Sequence, residues 1–216
     1  DPGEVSLLPV SKTKPPSMVE EAYEAGYRLF GENKVQDALA KSELMDADHP
    51  GLEWAVIGGL QTNKAKYVAR FATEFQALDS LKVARELDKR LQKEGRQLRV
   101  LVQVNSSVEP QKSGIAPDEA VNFAKELAAF DSLDVRGLMT VALNSSEPKA
   151  VADCFDVVVG VQEKLRQEVN EVSDWSELSM GMSGDLEIAV AHGSTQVRIG
   201  TDIFGARTDP AEIWRP

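Results

Sequence analysis

"LLPVSKTKPP", residues 7–16, is an apolar run that closes on two lysines and two prolines. The stretch decides between two α/β architectures. A doubly wound open sheet usually carries a glycine-rich turn after its first strand. The corresponding turn here is "SKTKPP", which favours a closed barrel.

Outward from this stretch, short β-rich runs alternate with amphipathic segments. The runs are "VSLLPVS" (5–11), "RLFGEN" (28–33), "EWAVIG" (53–58), "EFQALD" (74–79), "RVLVQVN" (99–105), "VRGLMTV" (135–141), "ELSMGMS" (177–183) and "QVRIGT" (196–201). Helical patterns between them include "PSMVEEAYEAG", with Pro near its start and Gly at its stop, and "APDEAVNFAKELAAF", with acids in its first turn. Several strands are apolar almost throughout, as in a parallel sheet covered on both faces. Eight βα units predict a (β/α)8 TIM barrel. With no internal repeat, low-complexity tract or linker, residues 1–216 read as a single domain.

At 216 residues a domain buries roughly 70% of its unfolded surface and needs no covalent staple. The single Cys154 leaves no internal disulfide, and no Cys/His cluster has metal-ligand spacing, so a reducing, cytoplasmic setting is expected and a metal is not. No run approaches the roughly 20 apolar residues of a membrane span. The balance of 35 acidic against 24 basic residues, a formal charge of −11, argues against a nucleic-acid partner.

In such a barrel, chemistry sits where strands end and βα loops begin. Strand alternation puts Leu8, Val10 and Lys12 on one face, whereas Lys14 abuts Pro15 in the loop. An amine at a barrel mouth is either an exposed terminus or, when desolvated, a nucleophile suited to Schiff-base chemistry. Ser183-Gly184 and Gly200-Thr201 are small-residue turns after neighbouring strands seven and eight, where barrels of many families bind phosphate. Arg198 interrupts the apolar "VRIG". A charge there needs a partner, either Asp185 or Glu187 within the protein, or a ligand. A reactive lysine, a phosphate cradle and an inward arginine together describe pyridoxal 5′-phosphate (PLP).

The blocks "LLPVSKTKP", "FGENKVQ", "IGGLQTNK", "QKSGI", "RGLMTV" and "LSMGMSGDLEIAVAHGSTQVRIGTDIFGAR" resemble the pyridoxal phosphate homeostasis protein family, the YggS/PROSC type, in order and over nearly the whole chain. The resemblance implies a barrel of the alanine-racemase N-terminal-domain type (fold type III among PLP proteins), with PLP held as a Schiff base on Lys12. It implies phosphate contacts from Ser183, Gly200 and Thr201, a ring-nitrogen contact from Arg198, and Asn33 and Met182 lining the pocket. The family usually begins with a helix before the first strand, which is not in this sequence. Two frequent family histidines are replaced, by Ala55 and Gln76, so no imidazole is expected there.

Arginine only donates hydrogen bonds, so a pyridine nitrogen facing Arg198 stays unprotonated and the electron sink is weak. Racemases of this fold use a second base, commonly a tyrosine. Tyr23, Tyr27 and Tyr67 fall on or beside outer helices, His49 lies in the loop "DADHPG", and His192 lies at a helix end. A carrier that buffers PLP in vitamin B6 homeostasis, and delivers it to PLP-dependent apoenzymes as a monomer or weak dimer, is therefore favoured over an amino-acid racemase. A Schiff-base aldolase acting on a phosphosugar and a purely structural barrel are the other readings.

Overall fold

The computed structural model describes residues 2–107, 109 and 111–206. Within them eight strands alternate with eight α-helices. The strands are β1 (Ser6–Pro9), β2 (Leu29–Glu32), β3 (Glu53–Val56), β4 (Glu74–Leu78), β5 (Leu98–Gln103), β6 (Leu133–Met139), β7 (Glu177–Ser179) and β8 (Gln196–Ile199). The helices that follow them are α1 (Pro16–Glu24), α2 (Val35–Met45), α3 (Ala65–Phe71), α4 (Leu81–Glu94), α5 (Ala120–Leu127), α6 (Pro148–Glu168), α7 (Leu186–Ala191) and α8 (Thr201–Phe204).

All strand pairs are parallel, in the order β1-β8-β7-β6-β5-β4-β3-β2. The ends of this sheet meet through a parallel bridge between Val10 and Gly31, where the Ser11 N–H donates to the Gly31 carbonyl at 3.0 Å. The result is a (β/α)8 barrel. The last two residues of every strand are buried, between the barrel interior and the helix layer outside. In β4 all five residues are buried, polar Glu74 and Gln76 included. Gln76 reaches Ser179 on β7 and Gln196 on β8, strands that do not neighbour β4, so its side chain crosses the interior.

Several sequence boundaries move. β7 stops at Ser179, not Ser183, because Gly181 adopts φ +99°, a left-handed turn that an L side chain resists. Met182 and Ser183 therefore sit in the β7–α7 loop. Thr201 opens α8 instead of ending β8. Asp118 and Glu119 lie in the turn that precedes α5, rather than in its first helical turn. Arg207 of the "FGAR" block lies outside the described residues.

Short α8 is held by Phe204, which is buried in a cluster with Val19, Ala22, Phe30, Met45 and Trp54. Burying an aromatic ring of this size contributes about 1.5–3 kcal/mol. That anchor fixes the Gly200-Thr201 turn beside the end of β1.

Candidate functional site

At the C-terminal mouth of the barrel lies a cavity of about 430 Å³. Lys12, Asn33, Met182, Ser183, Arg198, Gly200 and Thr201 all line it. Residues nearly 190 positions apart in sequence meet because β1 pairs with β8, with Leu8 opposite Arg198.

The two lysines of the opening stretch part company. Lys14 is buried, and its ammonium donates to the Ala206 carbonyl. Lys12 is half-buried in the turn after β1 and lines the cavity, as does Lys14. Between them Thr13 holds φ +60°, a conformation strained for a β-branched residue. Its hydroxyl is buried at the cavity with no hydrogen-bond partner among the described residues. Strain and an unsatisfied polar atom at one residue are the sort of cost that functional sites carry.

Arg198 is buried inside the barrel. Its guanidinium donates to the Ser179 carbonyl at 2.6 Å, the Ser179 hydroxyl at 2.9 Å and the Thr140 carbonyl at 2.7 Å. All three acceptors are neutral. The expected alternative, an ion pair with Asp185 or Glu187, is not formed: no carboxylate among the described residues lies within 4.0 Å of it. Asp185 is occupied in its own loop, accepting from the Met182 N–H at 2.6 Å while its N–H donates to the Met182 carbonyl at 3.0 Å. Glu187 is exposed. Burial lowers the Arg198 pKa to about 10, against a weaker opposing pull from Asp185, so it remains a cation at neutral pH. Its bonds engage at most three of the five guanidinium N–H groups, which leaves donors for a ligand.

Beneath Arg198 the interior is a polar chain. The Ser179 hydroxyl donates to Gln76 Oε1 at 2.7 Å, and Gln76 Nε2 donates to Glu74. Burial pushes the Glu74 carboxyl up, against the Gln76 bond and the nearby Arg99 cation. Gln76 thus serves as a link in the barrel floor. Ala55 is fully buried in β3 and brings no polar group.

Asn33 owes its place to a close approach. A β-carbon on Gly58 would lie 2.2 Å from the Asn33 carbonyl oxygen, so only glycine lets the β3 loop pack under the β2 loop. Sequence reasoning missed Thr13, Thr140 and Ser179. The last two lie inside the runs 135–141 and 177–183, and only the structure shows that β6 ends just before Thr140 and β7 ends at Ser179. Among the described residues no histidine or tyrosine lines the cavity. The Tyr23 hydroxyl donates to the Pro50 carbonyl at 2.9 Å, and His192 caps α7 and bonds Asp156.

A parallel eight-stranded barrel with a lysine and a buried arginine at its mouth places the chain in one class. Residues 2–208 match the family model described as the alanine racemase N-terminal domain. The chain is 39% identical over 208 residues to a pyridoxal phosphate homeostasis protein of Vibrio alginolyticus, covering 95% of this chain and 88% of that protein. Among solved structures, PipY of Synechococcus elongatus without PLP superposes with a TM-score of 0.89 at 35% identity, covering 94% of each chain. PipY with PLP bound gives 0.86 at 34% identity, covering 94% and 93%. The chain belongs to the pyridoxal phosphate homeostasis protein family.

Proposed function

We propose that this protein binds PLP at the barrel mouth, holds it on Lys12 as a Schiff base, and buffers and delivers it in cytoplasmic vitamin B6 homeostasis, with residues 1–216 acting as one domain. The observation that carries the reading is the convergence of Lys12, Arg198, Ser183 and Thr201 on one cavity of about 430 Å³. That size falls within the range of small-ligand sites.

The donor set fits the cofactor. Bound there, PLP supplies an aldehyde that condenses reversibly with a primary amine, with loss of water. Lys12 supplies the amine, and its half-exposed position leaves the bond open to exchange. Ser183, Gly200 and Thr201 offer hydroxyl and backbone N–H donors to a phosphate. Arg198 would donate toward a ring nitrogen held there and so leave it unprotonated. The Thr13 hydroxyl, without a hydrogen-bond partner among the described residues, adds a polar group with capacity for a ligand bond. Of the two lysines that line the cavity, Lys14 is engaged with the Ala206 carbonyl, and among the described residues no histidine or tyrosine lines it, which supports holding the cofactor over racemising an amino acid.

The test is a PLP titration read by visible absorbance, followed by borohydride reduction and peptide mass mapping. Wild type and Lys14→Ala are expected to yield one reduced adduct, on Lys12, and Lys12→Ala none. An adduct on Lys14 alone overturns the assignment. Ser183→Ala combined with Thr201→Val is expected to weaken PLP retention by about tenfold or more, since hydrogen bonds to a charged group are worth about 1.5–3 kcal/mol each. Unchanged retention removes the phosphate cradle.

A further inference from the structure

Lys41 and Glu32 form an ion pair buried at 1% and 0% side-chain exposure. It lies outside the cavity. A side chain at Gly31 would meet Leu8, Val10 and Ile57, so Gly31 faces the interior and its neighbour Glu32 faces outward, toward the helix that carries Lys41. There Lys41 Nζ donates both to Glu32 Oε1 and to the Ser11 carbonyl, the latter at 2.8 Å. The Ser11 hydroxyl donates to the same Glu32 oxygen at 2.7 Å. The segment after β1, strand β2 and helix α2 are thereby joined at one point.

That point has two properties. It is the seam where the sheet closes on itself, marked among the described residues by the parallel bridge Val10–Gly31 and the bond from the Ser11 N–H to the Gly31 carbonyl. It is also one peptide from Lys12, because the Ser11 carbonyl belongs to the peptide group that carries the Lys12 N–H. A buried ion pair is poor value as a stabiliser, since apolar replacements of similar volume are often neutral or better. What it supplies here is direction: a charged donor fixes the plane of the Ser11–Lys12 peptide from behind, where neither water nor ligand competes. Leaving Glu32 Oε2 without a hydrogen-bond partner among the described residues is a cost that packing alone does not require.

We propose that Lys41 and Glu32 are positioning residues, which hold the Ser11–Lys12 peptide at the barrel seam so that the Lys12 amine meets the cofactor's aldehyde in one geometry. The inference rests on the reading that Lys12 carries PLP. A displacement on the order of 1 Å in such a reaction can cost about a hundredfold in rate.

The experiment measures the rate of PLP capture by absorbance, the position of the resulting band, and the melting temperature without PLP. Wild type, Lys41→Met, Glu32→Gln and Leu127→Ala are compared well below their melting transitions. Leu127 is buried on α5, away from the β1–β2 seam, and its truncation serves as a destabilised control. Lys41→Met is expected to capture PLP about 10- to 100-fold more slowly than wild type with a shifted or broadened band. Leu127→Ala is expected to keep the wild-type rate and band. Glu32→Gln, which keeps shape and an acceptor for Lys41, is expected to change both readouts in the same direction by less, and it carries the test if Lys41→Met does not fold. Wild-type rates and bands in the seam variants overturn the positioning role, as does equal slowing in Leu127→Ala. Absence of a Lys12 adduct in wild type instead removes the underlying functional reading, whatever the variants do.

Discussion

Arg198→Met separates a ligand-directed arginine from a structural one. In the folded chain burial holds the Arg198 pKa at about 10, so keeping the guanidinium ionised costs about 3 kcal/mol relative to water. Methionine occupies much of the same stem volume without that cost. Against this stand the lost hydrogen bonds, and the structure limits them. The Ser179 carbonyl also accepts from the Thr140 N–H at 3.1 Å, and the Ser179 hydroxyl keeps its bond to Gln76. The Thr140 carbonyl loses its guanidinium donor, a cost of about 1–3 kcal/mol. The opposing effects nearly cancel, so urea unfolding at neutral pH is expected to show a change within about 2 kcal/mol of wild type. PLP titration of the same variant is expected to show an altered spectrum and weaker retention. The pH dependence has a defined sign. From about pH 10 up to the ordinary arginine range, the folded wild type binds fewer protons than the unfolded chain, so its stability rises with pH relative to the variant. A loss above about 4 kcal/mol with an unchanged PLP spectrum would refute the reasoning and make Arg198 a strut.

Two further outcomes follow from single contacts. Gly58→Ala drives a β-carbon to 2.2 Å from the Asn33 carbonyl, so unfolding experiments are expected to show a loss of about 1–3 kcal/mol together with weaker PLP binding. Wild-type values for both would mean that the β2 and β3 loops move apart freely. Glu74 has a raised pKa because burial outweighs its Gln76 and Arg99 partners, so the folded state holds its proton more tightly than the unfolded state. Wild-type stability therefore falls as pH rises from the usual carboxylate range through the raised value. Glu74→Gln lacks that titration, and its stability measured between about pH 4 and 8 is expected to decline less; parallel profiles would count against a raised Glu74.

The βα alternation was legible because strands buried on two faces read as apolar runs such as "RVLVQVN", whereas "EFQALD" carries three polar residues and is placed as a strand by its position in the alternation. The C-terminal limits of the strands were not legible. The glycine of "MGMS" permits the left-handed backbone at residue 181 without dictating it, and nothing in "SKTK" specifies the left-handed Thr13 locally. Arg198 stood out as a charge inside "VRIG", but its acceptors did not, since Thr140 follows β6 and Ser179 ends β7, both far away in sequence.

Lys12, Arg198, Ser183 and Thr201 could be picked out from the order of residues, because each lies in or just beyond the end of a strand whose place in a parallel barrel is set by βα counting; only the tertiary structure brings them to one cavity. The pairing of Lys41 with Glu32 could not be picked out. In sequence that lysine lies among acidic neighbours and reads as the solvated face of α2. Only closure of β1 against β2 removes the water around it, and a charge deprived of water must find its partners in space.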